Sequence, residues 1–181
     1  ISDELIEYKR FLKRVSLYRD GEPLIDKKLP KRINKFFESG IKNTSIATNV
    51  SLLNEKKSRD LLESGLGLVI MSIDSLKKDV FEKIRVRLNF EEVKENAIKF
   101  LELRDKINPD CRVWIRMIRQ ETNKDEWDDY YEFWKKYASD RDRIYYHNIF
   151  NWGGQLDGFK SIEKSFEPNL PCVALWSLMV F

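Results

Sequence analysis

The chain has 181 residues, of which 42% are hydrophobic and 35% are charged, so it can bury the core of one ordinary domain. Its 33 Lys and Arg residues nearly balance its 30 Asp and Glu residues, and the net charge of +3 argues against a strongly basic nucleic-acid binder. Two cysteines cannot build a disulfide scaffold, no run approaches the ~18 apolar residues of a membrane span, and Ile1–Lys9 does not resemble a signal peptide. We expect a cytoplasmic protein that binds neither nucleic acid nor membranes.

Hydrophobic spacing predicts helices that alternate with short strands along most of the chain. In chain order, the predicted elements are a helix near Leu5–Leu12, a strand at Val15–Tyr18, a helix at Asp26–Ser39, a strand at Thr44–Thr48, a helix after Asn54 to Glu63, a strand at Leu68–Ile73, a helical region at Lys77–Ile107, a strand at Val113–Ile118, an aromatic helix at Trp127–Tyr137 and a strand at Ile144–His147. The long helical region should break near Arg87, because Asn89 and Glu92 fit a capping box for its second part. We also expect Asn123 and Glu126 to cap the aromatic helix.

Repeated alternation of strand and helix predicts an α/β fold with a parallel sheet and right-handed crossovers. A doubly wound sheet and a segment of a barrel both fit this order. No GxGxxG or GxxxxGK[ST] follows any predicted strand, so the nucleotide-binding versions of the fold are disfavoured. The pattern lapses after Phe150, and Asn151–Pro171 reads as a loop, so we divide the chain into residues 1–150 and residues 151–181.

Both ends of the sequence interrupt a pattern. The chain starts at Ile1 within a helical pattern and stops at Phe181 within the apolar run Val173–Phe181. We therefore expect it to be a piece of a longer protein.

Polar side chains follow the predicted strands, at the edge of a parallel sheet where ligands bind in α/β folds. In strand order, these are Gly21, Glu22 and Pro23, then Thr48 and Asn49, then Ser72 and Asp74, then Arg116, Arg119 and Gln120, then His147 and Asn148. A carboxylate, several hydroxyl and amide groups and some arginines at one mouth would suit a small zwitterionic ligand that bears hydroxyl groups. Polar loops after strands without any ligand remain the alternative.

Four stretches resemble motifs of radical S-adenosylmethionine (SAM) enzymes, in the order in which that family has them. YRDGEPL at Tyr18–Leu24 resembles the GEP motif, and ATNV at Ala47–Val50 resembles the TTNG-type end of the next strand. Ser72–Asp74 with VFEKIR at Val80–Arg85 resembles the SxDG and YEKIR stretch. PCVALW at Pro171–Trp176 resembles the start of the auxiliary iron–sulfur extension called SPASM.

The resemblance implies a partial (β/α)6 barrel of parallel strands that binds SAM and a [4Fe–4S] cluster. In this family the cluster cleaves SAM reductively to a 5′-deoxyadenosyl radical, which abstracts a hydrogen atom from the substrate. By resemblance, Glu22 and the backbone of Gly21 hold the SAM amino group, and Pro23 fixes the turn. Asn49 and Ser72 would contact the ribose or the carboxylate, and Arg85 would pair with the carboxylate. Cys172 would bind a possible auxiliary iron–sulfur cluster, while no catalytic residue is identified.

The sequence departs from the family pattern at three points. It contains no CxxxCxxC, so the family's first strand and its cluster loop would precede Ile1, and the fragment alone should be inactive. Val50 and Ser75 stand where the family often has glycine. Cys111 precedes a strand and should be an inert structural thiol.

These features support two hypotheses of different classes. In the first, the full-length protein is a radical SAM enzyme that acts on a peptide, a sugar or another metabolite and takes electrons from a donor such as flavodoxin or ferredoxin. In the second, the chain is a non-catalytic barrel-like domain that binds a partner or a metabolite. His147, the only histidine, could contact substrate or serve a structural role.

Overall fold

The structure is a computed structural model, and it describes residues 2–149. Six α-helices and five strands follow one another along this part of the chain. The helices are α1 (Ser2–Glu7), α2 (Leu29–Glu38), α3 (Glu55–Glu63), α4 (Lys78–Ile84), α5 (Phe90–Ile107) and α6 (Trp127–Lys135). The strands are β1 (Val15–Ser16), β2 (Thr44–Thr48), β3 (Leu68–Ser72), β4 (Arg112–Arg119) and β5 (Arg143–Asn148), and short 3₁₀ turns lie at Lys9–Phe11 and Pro23–Ile25.

The five strands form one sheet in the order β1-β2-β3-β4-β5, and every neighbouring pair is parallel. Each strand lies next to the one that precedes it in the chain, with at least one helix in the connection. This topology confirms the predicted parallel α/β fold, and a sheet that adds strands in one direction is the arrangement of a barrel segment. The carboxyl ends of all five strands therefore lie along one rim of the sheet.

The main hydrophobic core lies between one face of the sheet and the helices. Residues that are buried on this face include Ile46, Val69, Met71, Val113, Ile115 and Met117. They pack in the same cluster as Leu61 of α3, Phe100 of α5 and Trp134 of α6. Because side chains alternate along a strand, the residues between them point to the opposite face, which we call the lumen face.

The helix boundaries have local causes. Asn54 and Asn89 cap α3 and α5 as predicted, since their side chains accept from the backbone nitrogens of Lys57 and Glu92 at 3.0 and 3.1 Å. Helix α2 begins at Leu29 and not at Asp26, because the 3₁₀ turn at Pro23–Ile25 occupies the preceding residues.

Two further boundaries are set by the backbone. The helical region predicted at Lys77–Ile107 divides into α4 and α5, and Arg87 between them adopts a left-handed φ of 69°. β1 is shorter than its predicted Val15–Tyr18 span, because only Val15 and Ser16 are registered against β2.

A buried ion pair fixes the amino-terminal end of the sheet. Arg104 of α5 is 1% exposed and donates to both carboxylate oxygens of Asp142 at 2.8 and 2.7 Å. Asp142 also accepts from the backbone nitrogen of Val113 at 2.7 Å, and Arg104 donates to the carbonyl of Cys111 at 3.0 Å. These bonds tie α5, the start of β4 and the residue that precedes β5 into one unit, since a buried charge is stable only when it is paired and hydrogen-bonded.

Among residues 2–149, no helix is both long and apolar enough to cross a membrane.

Candidate functional site

The structure brings Glu22, Asn49 and Ser72 to one rim of the sheet. Glu22 lies in the turn after β1, Asn49 directly follows β2, and Ser72 is the last residue of β3. Thr48 is registered against Met71, so Asn49 and Ser72 lie next to each other on adjacent strands. The three side chains that the sequence assigned to one mouth therefore share it.

The carboxylate of Glu22 joins the first two strands of this rim. Its Oε1 accepts from the Thr48 hydroxyl at 2.7 Å and from the Leu24 backbone nitrogen at 3.1 Å. Its Oε2 accepts from the backbone nitrogen of Asn49 at 2.8 Å. Because these partners are all uncharged, they hold the carboxylate in place and leave its negative charge unbalanced within residues 2–149. Gly21, with a φ of 89°, provides the left-handed turn that directs Glu22 toward β2.

Ser72 connects the rim to the lumen face. Its hydroxyl accepts from Nη2 of Arg116 at 2.8 Å, across the register that pairs β3 with β4. The Nε of Arg116 is buried and has no hydrogen-bond partner among the described residues. A buried donor without a partner is costly, so it indicates a place where a ligand oxygen could be bound.

Asp74 is a brace, and it holds Arg85. Asp74 is 1% exposed, and its Oδ2 accepts from Nε of Arg85 at 2.6 Å. Its Oδ1 accepts from the backbone nitrogen of Ile118 at 2.7 Å, which ties the end of β3 to the end of β4. The guanidinium of Arg85 thus has a fixed partner at the rim, while its assigned contact with the SAM carboxylate stays a prediction.

A buried polar network behind the rim was not predicted from the sequence. Asn123 donates to the carbonyls of Asp74 and Ile118 at 2.7 and 3.0 Å. Ser75 donates to Glu126 at 2.6 Å. Asn123 and Glu126 therefore anchor the loop between β4 and α6. Their predicted roles as side-chain caps of α6 are wrong, because no side-chain bond caps the start of that helix.

Tyr130 belongs to the same region. It is fully buried, and its hydroxyl donates to the carbonyl of Ile73 at 2.7 Å. Burial raises the pKa of Tyr130 well above its usual value. The predicted packing role of the aromatic helix is confirmed for Tyr130 and Trp134, which are both 0% exposed.

The two residues that replace family glycines fit their positions differently. Val50 adopts a left-handed φ of 70° while it is fully buried, and this conformation is strained for a β-branched residue. Its backbone nitrogen bonds the Thr48 hydroxyl at 3.0 Å, which helps to hold the turn. Ser75 uses the side chain that glycine lacks to bond Glu126.

The last strand presents His147 to the lumen face. Its ring packs edge-on against Tyr145 with ring centroids 5.1 Å apart. Burial and the nearby charges of Arg116 and Arg143 lower the pKa of His147. Burial raises the pKa of Tyr145, and the same two arginines partly oppose that shift. Both groups are therefore neutral near pH 7, and arginine supplies the positive charge on the lumen face of β4 and β5.

The residues at the rim fit SAM. An ammonium group needs acceptors and a counter-charge, and Glu22 offers a fixed carboxylate whose partners are uncharged. An added Cβ at Gly21 would meet nothing within 4 Å, so the turn next to Glu22 borders open space. The Ser72 hydroxyl, at the end of β3, supplies a further polar atom at the same mouth.

The described residues do not fit a [4Fe–4S] cluster. Within residues 2–149, no group of three or more His, Cys, Asp or Glu side chains could hold a metal ion. Cys111 lies just before β4, at the opposite end of the sheet from the rim, and burial raises its pKa to about 12. Its predicted structural, inert character agrees with this environment. Cys172 and the other residues of 151–181 lie outside the described residues.

Curated proteins that are similar to the chain include GTP 3′,8-cyclases. A probable GTP 3′,8-cyclase of Methanococcus maripaludis is 39% identical over 83 residues, which are 46% of this chain and 28% of that protein. The GTP 3′,8-cyclase of Clostridium botulinum is 35% identical over 124 residues, which are 66% of this chain and 36% of that protein. The chain thus spans about a third of the length of these relatives.

Solved structures share the fold. The match to SuiB of Streptococcus suis has a TM-score of 0.65 and 17% identity, and it covers 92% of this chain and 36% of SuiB. A domain of the pyruvate-formate lyase-activating enzyme of Bacteroides vulgatus matches with a TM-score of 0.61 and 16% identity, covering 83% of this chain and 85% of that domain. At this level of identity the likeness concerns the fold, and it agrees with the predicted partial barrel.

The family model described as the Radical SAM superfamily matches residues 1–133, which is most of the chain. The matched residues contain the Glu22 turn and the ends of β2, β3 and β4. The chain therefore belongs to the radical SAM superfamily, which implies S-adenosylmethionine and a [4Fe–4S] cluster as its cofactors.

Proposed function

We propose that the full-length protein is an enzyme that cleaves SAM reductively and removes a hydrogen atom from a peptide, a sugar or another small metabolite. The observation that carries the proposal is the bridge made by Glu22, which joins the turn after β1 to the end of β2 through the Thr48 hydroxyl and the Asn49 backbone nitrogen. This bridge presents a charged carboxylate at the mouth of a parallel α/β sheet, which is where such folds bind ligands.

Four residues of this chain would hold SAM. Glu22 would attract its ammonium group, and Asn49 and Ser72, on neighbouring strands, would bind hydroxyl or carboxylate oxygens. Arg85 would bind the carboxylate, oriented by its 2.6 Å bond to Asp74. When bound, the two cofactors supply one-electron cleavage of the sulfonium and a carbon radical that takes hydrogen from the substrate. The cluster's ligands would come from a CxxxCxxC segment that precedes Ile1.

The proposal specifies only the chemical class of the substrate and the class of the electron donor. A structural neighbour, SuiB, has been solved bound to the precursor peptide SuiA, which supports a peptide as one candidate substrate. The curated relatives carry the name GTP 3′,8-cyclase, which supports a small metabolite as another. Residues 151–181 would begin a SPASM-type extension with Cys172 as a ligand of an auxiliary cluster. Flavodoxin or ferredoxin would supply electrons.

Anaerobic reconstitution of the full-length protein with iron and sulfide tests the proposal. The protein should take up iron, and on reduction it should convert SAM to 5′-deoxyadenosine, which is measured by liquid chromatography and mass spectrometry. Glu22→Ala should reduce this conversion at least tenfold, because it removes the carboxylate that carries the ammonium site. Glu38→Ala, an exposed glutamate at the end of α2, is the matched control and should leave the conversion unchanged.

The same experiment separates the enzyme from a non-catalytic binding domain. A full-length protein that takes up no iron and forms no 5′-deoxyadenosine would contradict the enzyme. Equal conversion by Glu22→Ala and Glu38→Ala would contradict the role given to Glu22.

A further inference from the structure

The lumen face of the last two strands is built from arginines and aromatic rings. On β4 this face carries Arg112, Trp114, Arg116 and Ile118, which alternate with the buried residues Val113, Ile115 and Met117 of the helix-side core. On β5 it carries Arg143, Tyr145 and His147. The register places Trp114 beside Arg143, Arg116 beside Tyr145, and Ile118 beside His147. None of these lumen-face residues is acidic.

Two guanidinium groups at this wall, which consists of the lumen-face residues of β4 and β5, lie over aromatic rings and pair with no carboxylate among residues 2–149. Arg143 lies over the Tyr145 ring, with 4.9 Å from its Cζ to the ring centroid, and 5.7 Å from the Trp114 centroid. Arg14, which directly precedes β1, also lies over the Trp114 ring, with 5.5 Å from its Cζ to the ring centroid. Within residues 2–149, no ion pair neutralises Arg14, Arg116 or Arg143. Stacking on rings fixes the orientation of a guanidinium and leaves its N–H groups free to bind an oxyanion.

Arg116 is the best-placed member of this wall. Its Nη2 is fixed on the Ser72 hydroxyl at 2.8 Å, while its buried Nε has no partner among the described residues. The Nε and Nη edges of a guanidinium match the two oxygens of a carboxylate or a phosphate. An oxyanion on this edge would satisfy the donor that is otherwise left buried and unpaired.

The position of the wall distinguishes it from the Glu22 end of the mouth. Neighbouring strands are about 4.8 Å apart, so β4 lies about 14 Å and β5 about 19 Å along the sheet from β1. A cofactor whose amino group lies near Glu22 would therefore leave Arg143 to a second molecule. We propose that the substrate carries an oxyanion, a carboxylate or a phosphate, that binds to Arg116 and Arg143 on the lumen face. This inference rests on the proposed function, because it names the substrate class of the same site.

Calorimetric titration of the full-length protein tests this inference with two probes, inorganic phosphate and glutarate, each in low-salt buffer with saturating SAM. We expect saturable binding of at least one probe. Tighter phosphate binding would indicate a phosphorylated substrate, and tighter glutarate binding would indicate a carboxylate. Arg116→Gln and Arg143→Gln should each weaken binding about tenfold or more, because each removes a charge-assisted contact. Arg116→Lys, which keeps the positive charge but lacks the two parallel N–H donors of the guanidinium, should retain part of the affinity.

Arg59→Gln is the matched control, since it removes one exposed arginine on α3 and should bind the probes as the wild type does. Far-UV circular dichroism confirms that each variant is folded. The inference is overturned if neither probe binds saturably, if both arginine variants bind as well as Arg59→Gln, or if a probe that binds in a parallel titration without SAM fails to bind at saturating SAM.

The affinity for SAM is measured in the same samples and keeps the two proposals apart. Wild-type protein that binds SAM normally but binds neither probe would count against the anionic substrate alone. Absence of SAM binding in wild-type protein that still binds phosphate through Arg116 would count against the proposed function alone.

Discussion

Replacing Asp74 with asparagine tests whether the polar brace behind the rim stabilises the fold and holds Arg85. The carboxylate is 1% exposed and accepts from Arg85 at 2.6 Å and from the backbone nitrogen of Ile118 at 2.7 Å. Asparagine has one acceptor oxygen, so it can keep only one of these bonds, and its amide N–H₂ must then face the other donor. Losing one charge-assisted bond costs roughly 1.5–3 kcal/mol, and the remaining bond weakens when its acceptor becomes neutral.

Together these effects give about 3 kcal/mol, at the low end of the ~3–5 kcal/mol for breaking a buried pair, because the 30% exposed side chain of Arg85 can turn toward water. The free energy of unfolding is measured by urea denaturation of the full-length protein, followed by circular dichroism. Asp110→Asn is the matched control, because that carboxylate is 91% exposed and its pair with Arg141 should contribute no more than about 1 kcal/mol. If both variants lose the same stability, the reasoning about the buried brace is wrong.

The same variant addresses the role of Arg85 in binding. If Arg85 holds the SAM carboxylate, both Asp74→Asn and Arg85→Gln should raise the dissociation constant for SAM, each about tenfold. If Arg85 serves only as the partner of Asp74, Arg85→Gln should lower stability and leave that constant unchanged.

Three further predictions concern the amino-terminal end of the sheet. Burial disfavours the charge of Asp142, but hydrogen bonds from Arg104 and from backbone nitrogens lower its pKa on balance. A carboxylate whose pKa is lower in the folded than in the unfolded state stabilises the fold at a pH above its unfolded pKa of about 4. This contribution should therefore disappear as the pH falls below about 4, and it should be absent at every pH in Asp142→Asn. Urea midpoints measured from pH 7 to 3 would show both effects. Gly67→Ala should destabilise by about 1–3 kcal/mol in the same assay, because its Cβ would clash with the backbone oxygen of Lys42. Stability equal to wild type would refute this contact. Cys111 is 1% exposed, and burial raises its pKa to about 12. Its thiol should therefore resist iodoacetamide at pH 8 in native protein and react in urea, as measured by peptide mass mapping. Labelling of Cys111 in native protein would contradict its burial.

The sequence predicted the strands because their signal is local. The alternation of apolar and polar residues in Val113–Ile118 and the apolar run in Leu68–Ile73 are set by the two faces of a sheet, and both segments are strands in the structure. The caps at Asn54 and Asn89 are equally local, since each bond spans three residues. The order of the motifs along the chain then predicted that Glu22, Asn49 and Ser72 lie at one rim.

Contacts between distant residues were not accessible in this way. The bond from the Asn49 backbone to Glu22 joins residues 27 apart, and that from Ser75 to Glu126 joins residues 51 apart. Glu126 has the sequence signature of a cap, but it is buried against Ser75, so tertiary contacts override the local preference. The unpaired Nε of Arg116 likewise depends on three-dimensional packing, and spacing along β4 indicates only the face on which Arg116 lies.

A crystal structure of the full-length protein with SAM, grown anaerobically, tests the central claim most directly. The account predicts that SAM lies at the carboxyl ends of β1, β2 and β3, with its amino group in hydrogen-bond contact with the Gly21–Glu22 turn and its polar groups near Asn49 and Ser72. Density for SAM at the amino-terminal end of the sheet, or on its helix-covered face, would contradict the account.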